Sequence, residues 1–565
     1  MTKRILSSCA FFFLCLAGSA QAQVLAPSAD PGRVDQPVLP KDIFSGLQSQ
    51  ALPQSAKPAL PPETANLTFV LNSLTIQGAQ AFSPDRLGDF YRPYLGKTIT
   101  LGQLFDIMAR IQQLYLDEGY TISKVLIPEQ AIDSGNIVFT VVEGYVESVE
   151  LDPSFPKSPI LEDFAAKVLA MRPLNTKKLE RFMLILNDKA GLRASSVLSK
   201  IENHEDDPGG LKLTLRQNQD ELGTGATYVS FDTFGSNFTG FGQFGAGTSF
   251  NHLGTNYSEL LLNGVVTTSS QEMRQGSVEY NLPLWGVSGT NLRLSSEMNR
   301  TEPGSSLDIL DVKGRSFSMS AQLSYPIIRQ RDQTWLVSSS FEYKNVGTDI
   351  LGEPLFQDRI RSVGVMSRYT FSDRYDGLNL LQADFSRGLN VLAARETGEP
   401  NLSRQFGQSD FWKAELLCTR LQTIARNFEA LWSFKGQYAW QPLLSSEEFG
   451  FGGGYLGRGY DPSEITGDRG ISTSLELRYN KALPEWNMAL QPYAFYDIGR
   501  VWNIDPLDRN RKSAASAGAG MRMNFVKGWA VDGSFAVPLT RAADNPPKYG
   551  SEYGPRYLFS VKKTF

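Results

Sequence analysis

Side-chain catalysis needs a base, a nucleophile or a metal, and this sequence is short of all three. The histidines are His204 and His252, and His204 sits in a polar Glu-Asp-Asp stretch where a solvated loop residue is expected. Cysteine occurs at Cys9, Cys15 and Cys418. The first two fall in an N-terminal segment read below as removed, so a disulfide within the mature chain is excluded. One thiol and two imidazoles make no metal-ligand set. Ser, Asp and Glu abound, but no histidine base or motif organises them. There is no Gly-x-x-x-x-Gly-Lys-Ser/Thr loop to cradle nucleotide phosphates. The expectation is a non-enzyme without catalytic, metal or cofactor residues. A formal net charge of −4 argues against a nucleic-acid partner.

The useful chemistry must then lie in how the chain is laid out. Lys3 and Arg4 precede an apolar run from Ile5 to Ala17, and Ala20-Gln21-Ala22 gives a small-x-small cleavage pattern. Residues 1–22 read as a signal peptide, with Gln23 opening the mature chain. The apolar run is too short to span a bilayer, which takes roughly 20 residues. No second long apolar run follows, so a helical membrane protein is excluded. Residues 23–66, rich in Pro, Ala, Gln and Ser, read as a leader with room for one short helix over Lys41 to Gln50.

Two stretches of mixed α/β character follow. In residues 67–144, Phe69, Leu71, Leu74 and Ile76 suggest an opening strand. Ser83-Pro84 starts one helix, and a second begins near Thr100, with Leu104, Ile107, Met108, Ile111, Leu114 and Tyr115 at helical spacing. Strands at Ser123–Ile127 and Ile137–Val142 complete a β-α-α-β-β order. Residues 145–219 repeat that order, with helices over Leu161–Met171 and Thr176–Lys189 and strands at Ala194–Ile201 and Leu211–Arg216. Recurrence at a spacing of about 75 residues is a tandem-domain signal.

From residue 220 to 565 the pattern alternates with period two. Phe317, Met319, Ala321, Leu323, Tyr325 and Ile327 interleave with Ser318, Ser320, Gln322 and Ser324. Ile471, Leu475, Leu477 and Tyr479 interleave with Ser472, Ser474, Glu476 and Arg478. The two sets point to opposite faces of a strand. A dry sandwich core rejects charges such as Glu476 and Arg478. A transmembrane antiparallel β-barrel with a wet interior accepts them, and it places aromatics near strand ends. At about 20 to 22 residues per strand and loop, the segment holds about 16 strands. Tyr557, Phe559, Val561 and the terminal Phe565 share one face of the last strand, as a barrel-final strand requires. Lys563 breaks that face and is expected to snorkel to the interface.

These patterns, in this order, resemble a known family. Two β-α-α-β-β modules ahead of a barrel are similar to POTRA domains, here POTRA 1 (67–144) and POTRA 2 (145–219). Gly119-Tyr120 and Val141-Val142-Glu143-Gly144 resemble the end of the first POTRA of two-partner secretion outer-membrane transporters, the TpsB family of haemolysin and filamentous-haemagglutinin secretion-activation proteins. Arg458-Gly459-Tyr460, followed by Gly467-Asp468-Arg469-Gly470, resembles the superfamily's loop motif, and Phe495-Tyr496-Asp497-Ile498-Gly499 matches its strand motif Phe-x-Asp-x-Gly. The resemblance implies that the loop folds back into the barrel and that Arg458 meets Asp497 at the wall. A guanidinium–carboxylate contact of that kind can pin a long loop, with Gly459 and Gly499 allowing close backbone approach. Where the family usually has Val or Ile before the Arg, this chain has Gly457, which leaves the loop tip less rigid. Asp468-Arg469 reads equally well as a solvated turn.

The resemblance implies a place in the outer membrane with the POTRA domains in the periplasm. Its partners are a secreted TpsA-like exoprotein bearing an N-terminal secretion domain, outer-membrane lipid, and the barrel-assembly machinery, which would read Phe565 as an assembly signal. An extended client can add as a strand to a POTRA sheet edge and then thread the pore without ATP. In the family a leader helix can plug the pore; residues 41–50 are the expected helix here and Gln48–Pro62 the linker. The alternative is an insertase-like assembly factor of the same superfamily, which normally carries more POTRA repeats.

Overall fold

The structure is a computed structural model, and it describes residues 25–33, 66–132, 134–155, 157–201, 208–217, 225–253, 257–269, 271–506, 509–541 and 553–565. The expected signal peptide, the helix over 41–50 and its linker lie outside these residues.

The first module is built from a helix whose start and buried face are both written in the sequence. Thr100 caps the helix Leu101–Asp117 in a reciprocal capping box with Gln103. Leu104, Ile107, Met108, Ile111 and Tyr115 form its buried stripe. That stripe covers a sheet in which Asn136–Val142 lies between Ser73–Gln77 (parallel) and Lys124–Leu126 (antiparallel). The opening strand is broken: Thr68–Val70 pairs instead with a short strand, Thr98–Thr100. The helix capped by Ser83 is only the turn Pro84–Gly88. At the back of the module the Tyr115 hydroxyl donates to Glu143 at 2.8 Å, and burial with that carboxylate raises the phenol's pKa.

The second module has the same order. Tyr145–Leu151 runs parallel to Gly210–Gln217, which pairs antiparallel with Ala194–Lys200. Helices Pro159–Leu169 and Thr176–Asn187 bury Phe164, Val168, Ile185 and Leu186 against that sheet. The two modules are tied by backbone: Thr176 N–H donates to Gly119 O at 2.7 Å and Leu174 N–H to Gly144 O at 2.8 Å. Phe164 is fully buried. Phe164→Ala is therefore expected to destabilise this module by about 3–5 kcal/mol, read as faster cleavage within 145–217 in limited proteolysis of the full chain.

Sixteen antiparallel strands close into a barrel. They run from Thr227–Asp232 to Arg556–Thr564, with Arg469–Tyr479 continued by the short strand Lys481–Leu483 on one partner. Closure pairs the last strand with the first, from Ser560↔Asp232 to Thr564↔Tyr228, a much shorter ladder than that between Gln333–Ile350 and Glu353–Ser372. The period-two alternation decides the faces. Met319, Leu323, Tyr325 and Ile327 are exposed outward, as are Ile471, Leu475 and Leu477, while Ser472, Ser474, Glu476 and Arg478 are buried inward. Tyr557 and Phe559 also face out. Phe565 is exposed beyond them, and its N–H donates to Thr227 O at 2.9 Å. Lys563 reaches the Lys527 carbonyl at the adjacent turn, its ammonium 5.7 Å from the Trp529 ring, which is snorkelling.

The second module sits against one end of the barrel. Arg329 forms a bidentate pair with Asp188 at 2.7 and 2.8 Å. Val287 N–H donates to Asp163 at 2.8 Å, and Tyr257 and Val287 from two barrel turns join the module's apolar core.

Candidate functional site

The connection between strands Phe428–Ala439 and Arg469–Tyr479, residues 440–468, turns into the lumen. It carries a hairpin pairing Phe449–Phe451 with Ile465–Gly467. Phe449, Phe451, Tyr460 and Ile465 pack on the inward Val501 and Ala514 of the wall. Glycines on the wall make room for these rings: a Cβ at Gly499 would lie 2.3 Å from Phe451 and one at Gly470 2.1 Å from Phe449.

Arg458 stands at the hairpin tip, and its side chain is surrounded by wall groups. Nε and Nη2 donate to the two oxygens of Asp497 at 3.0 and 2.9 Å, and Nη1 donates to Glu476 at 2.6 Å. Nη2 also donates to Ser474 Oγ at 3.1 Å. The guanidinium lies 3.4 Å over the Phe495 ring centroid. Asp497 further accepts the Gly457 and Arg458 amides and the Ser474 hydroxyl. Gly457 takes a φ of +81°, and a Cβ there would meet Phe451 at 2.8 Å. The residue expected to loosen the tip thus brings its amide to the Asp497 carboxylate in a conformation, and against the Phe451 ring, where a β-branched side chain would not fit.

The network extends along the lumen. Glu476 also accepts from Arg478 and Arg522, and Arg522 pairs with Asp532 at 3.0 Å. Arg458, Arg478 and Arg522 face Asp497, Glu476 and Asp532, so the charges cancel. Buried groups need this, since desolvated ions are stable only when paired and hydrogen-bonded. Next along the loop, the Tyr460 hydroxyl donates to Ala515 O at 2.9 Å, and a Cβ at Gly459 would meet Ser516 Cβ at 2.8 Å. Arg556, fully buried on the last strand, donates to the carbonyls of Tyr460 and Gly235 and so links the loop to both sides of the barrel closure.

Four features of the site are not evident in the linear pattern. Glu476 was legible only as an inward charge; its place beside Arg458 depends on strand register, Glu476↔Phe495 and Ser474↔Asp497. Asp468 is no solvated turn residue: it is fully buried, paired with Arg404, and accepts the amides of Leu443 and Ile504. Glu447 is held between Lys344 and Lys413 at 2.8 and 2.9 Å. Finally, residues 25–33 of the leader lie inside the barrel. Leu25 and Ala29 pack with Phe238, Val312, Val346 and Phe356, and Arg33 pairs with Glu448 at 2.8 Å.

Comparison with known proteins separates the possible families. The model for haemolysin secretion/activation protein ShlB/FhaC/HecB matches residues 211–523, and that for the ShlB-type POTRA domain matches residues 69–144. The chain belongs to the ShlB/FhaC/HecB family. It is a two-partner secretion transporter, with its barrel in the outer membrane and its N-terminal POTRA domain in the periplasm. Such transporters are not enzymes, and they work with a secreted TpsA exoprotein. The chain is similar to the heme/hemopexin transporter protein HuxB of Haemophilus influenzae, 24% identical over 88% of each chain. The solved structure of CdiB from Escherichia coli shares the fold, with a TM-score of 0.76 at 17% identity over 90% of this chain and 92% of that one. BamA of Haemophilus ducreyi lacking POTRA domains 1–3 reaches 0.50 at 14% identity over 88% of this chain and 100% of that one. The ShlB-type family matches favour the secretion transporter over the insertase.

Proposed function

We propose that the two periplasmic modules receive an extended client segment, by strand addition at the second, and pass it into a lumen closed at rest by the loop 440–468. The observation that carries this reading is the lumenal loop itself, with Arg458 between Asp497 and Glu476. Its removal from the wall is the opening step, and Arg458, Gly459, Tyr460, Phe495, Asp497 and Gly499 form the lock. Folding of the client outside supplies direction. Insertion of the barrel itself uses the assembly machinery, with Phe565 as its signal, and lipid covers the outward faces. HuxB is named for heme/hemopexin transport, so an exoprotein of haem acquisition is the first client to test.

Strand addition needs a free edge. Ala194–Lys200 is the edge strand of its sheet and Val197 is exposed on it, whereas at the edge strand Lys124–Leu126 the Gln112 side chain already accepts from the Val125 amide at 2.9 Å and donates to the Ser123 carbonyl at 3.0 Å. A photo-crosslinking residue at Val197 is expected to capture a co-expressed client during export, whereas one at Leu126, on the edge closed by Gln112, or at Lys178, on an exposed helix position, is not. Equal capture at all three positions would remove strand addition from the mechanism.

A further inference from the structure

The outer wall carries a feature that transport through the lumen does not use. Strands Gly377–Gly388, Trp412–Ala425, Phe428–Ala439, Arg469–Tyr479, Met488–Trp502 and Arg511–Phe525 are consecutive neighbours in the barrel. At the end far from the periplasmic modules they frame an outward groove of about 1120 Å³. Its floor is an apolar row in register, with the small Ala383 and Gly436 set among Leu416 and Ile471: Ala383↔Leu416, Leu416↔Gly436 and Gly436↔Ile471. One side is aromatic, with Phe385 5.2 Å from Trp412 and Tyr438 4.9 Å from Trp440.

The rim is cationic. Arg387 lies 4.5 Å over Trp412, Arg469 4.0 Å over Tyr438, and Arg500 5.3 Å over Trp502. Arg469 and Arg511 flank Trp502 in one row across three strands. Arg387, Arg500 and Arg511 are exposed. Among the described residues, none of these four arginines forms an ion pair with a carboxylate, unlike the lumenal Arg458, Arg478 and Arg522.

An arginine on the lipid face of a barrel is tolerated only near an interface and is satisfied there by anionic headgroups. Aromatic rings hold the guanidinium planes in place, and guanidinium geometry suits phosphate. Arg387 and Arg469 are three strands apart, about 14 Å at the usual strand spacing. One phosphodiester headgroup is too small to engage both. A lipid with two phosphates across a sugar core and several acyl chains fits the spread of charge and the width of the groove.

We propose that this groove binds a bis-phosphorylated glycolipid of the outer leaflet, with the chemistry of lipid A. Acyl chains lie on Ala383, Leu416, Gly436 and Ile471, and phosphates meet Arg387, Arg469 and Arg511. The occupied groove backs the strands whose inner faces carry Ser474, Glu476 and Asp497. The proposal rests on the reading of the outward faces as lipid-covered.

The test uses the purified full chain in phosphatidylcholine nanodiscs, with hexa-acyl bis-phosphoryl lipid A as probe. Phosphatidylglycerol is the comparator, and copies retained per chain are counted by native mass spectrometry. The wild type is expected to retain lipid A in preference to phosphatidylglycerol. The pair Arg469→Gln with Arg511→Gln is expected to lower retention at least tenfold, and Gly436→Leu, which fills the floor without changing charge, to do the same. Arg374→Gln, at the periplasmic rim, is expected to leave it unchanged. Heat-modifiable gel mobility checks that each variant is folded. Equal retention by wild type and the arginine pair, or equal retention of phosphatidylglycerol, overturns the proposal. Failure of the wild type to enter nanodiscs overturns the lipid-covered barrel along with it.

Discussion

Arg458→Ala is expected to lower client secretion at least tenfold while the chain remains in the outer membrane. The side chain is buried between Asp497 and Glu476, with side-chain exposures of 6%, 0% and 4% for the three groups. Removing it leaves Asp497 desolvated without its cation, while Glu476 keeps Arg478 and Arg522, and breaking a buried pair from one side costs about 3–5 kcal/mol. The outward-facing half of each wall strand is untouched, so the barrel still assembles and the cost falls on the loop's attachment. Arg458→Lys is expected to rescue little: a point-charge ammonium cannot reproduce two donors to Asp497, one to Glu476 and the flat stack on Phe495. Asp497→Ala removes the acceptor for the Gly457 and Arg458 amides as well. The two losses share one interaction, so the double variant should secrete about as well as the worse single variant. Export is measured as client in the medium against transporter in the membrane fraction. Normal export by both single variants would show that the Arg458–Asp497 contact plays no part in gating.

How much of this arrangement was legible beforehand follows from what each residue depends on. The barrel was legible because a strand's faces are set locally: Met319, Leu323 and Ile327 against Ser318, Ser320 and Ser324 needs no partner to be read. The helix at Leu101 was legible for the same reason, its cap and stripe lying within one stretch of chain. The broken opening strand was not. Phe69 and Leu74 look like one run, but the chain changes partner between Val70 and Ser73. Arg458 and Asp497 were paired through a family likeness. Glu476, Arg522 and Arg556 join them only because barrel closure and register place distant strands around one loop. Residues 25–33 were hidden more deeply: their Pro, Ala and Ser content has no hydrophobic period, and their position comes entirely from contacts with the lumen wall.

Deleting residues 25–33 is expected to raise the ion conductance of the pore several-fold in planar bilayers. This segment is held by more than its small apolar patch. Pro31 O accepts from Asn299 at 2.9 Å and from Ser316 at 2.8 Å, both inward wall residues. Asp30 accepts from Ser445 at 2.7 Å, and Arg33 pairs with Glu448 at 2.8 Å in the descending arm of the loop. The leader is therefore part of the loop's own charge balance. Without Arg33, Glu448 is left with Arg404, which also pairs with Asp468 and Asp505. Glu448 is buried and loses one of its two arginines, so loss of the segment should loosen the base of the loop as well as empty its own volume. Arg33→Ala separates the two effects. It keeps the chain in the lumen but removes the pairing, and it is expected to give a smaller, fluctuating rise in conductance. If the deletion leaves conductance at the wild-type level, the loop 440–468 closes the pore unaided. If Arg33→Ala matches the full deletion, the segment acts through the charge balance of the loop and its bulk contributes nothing.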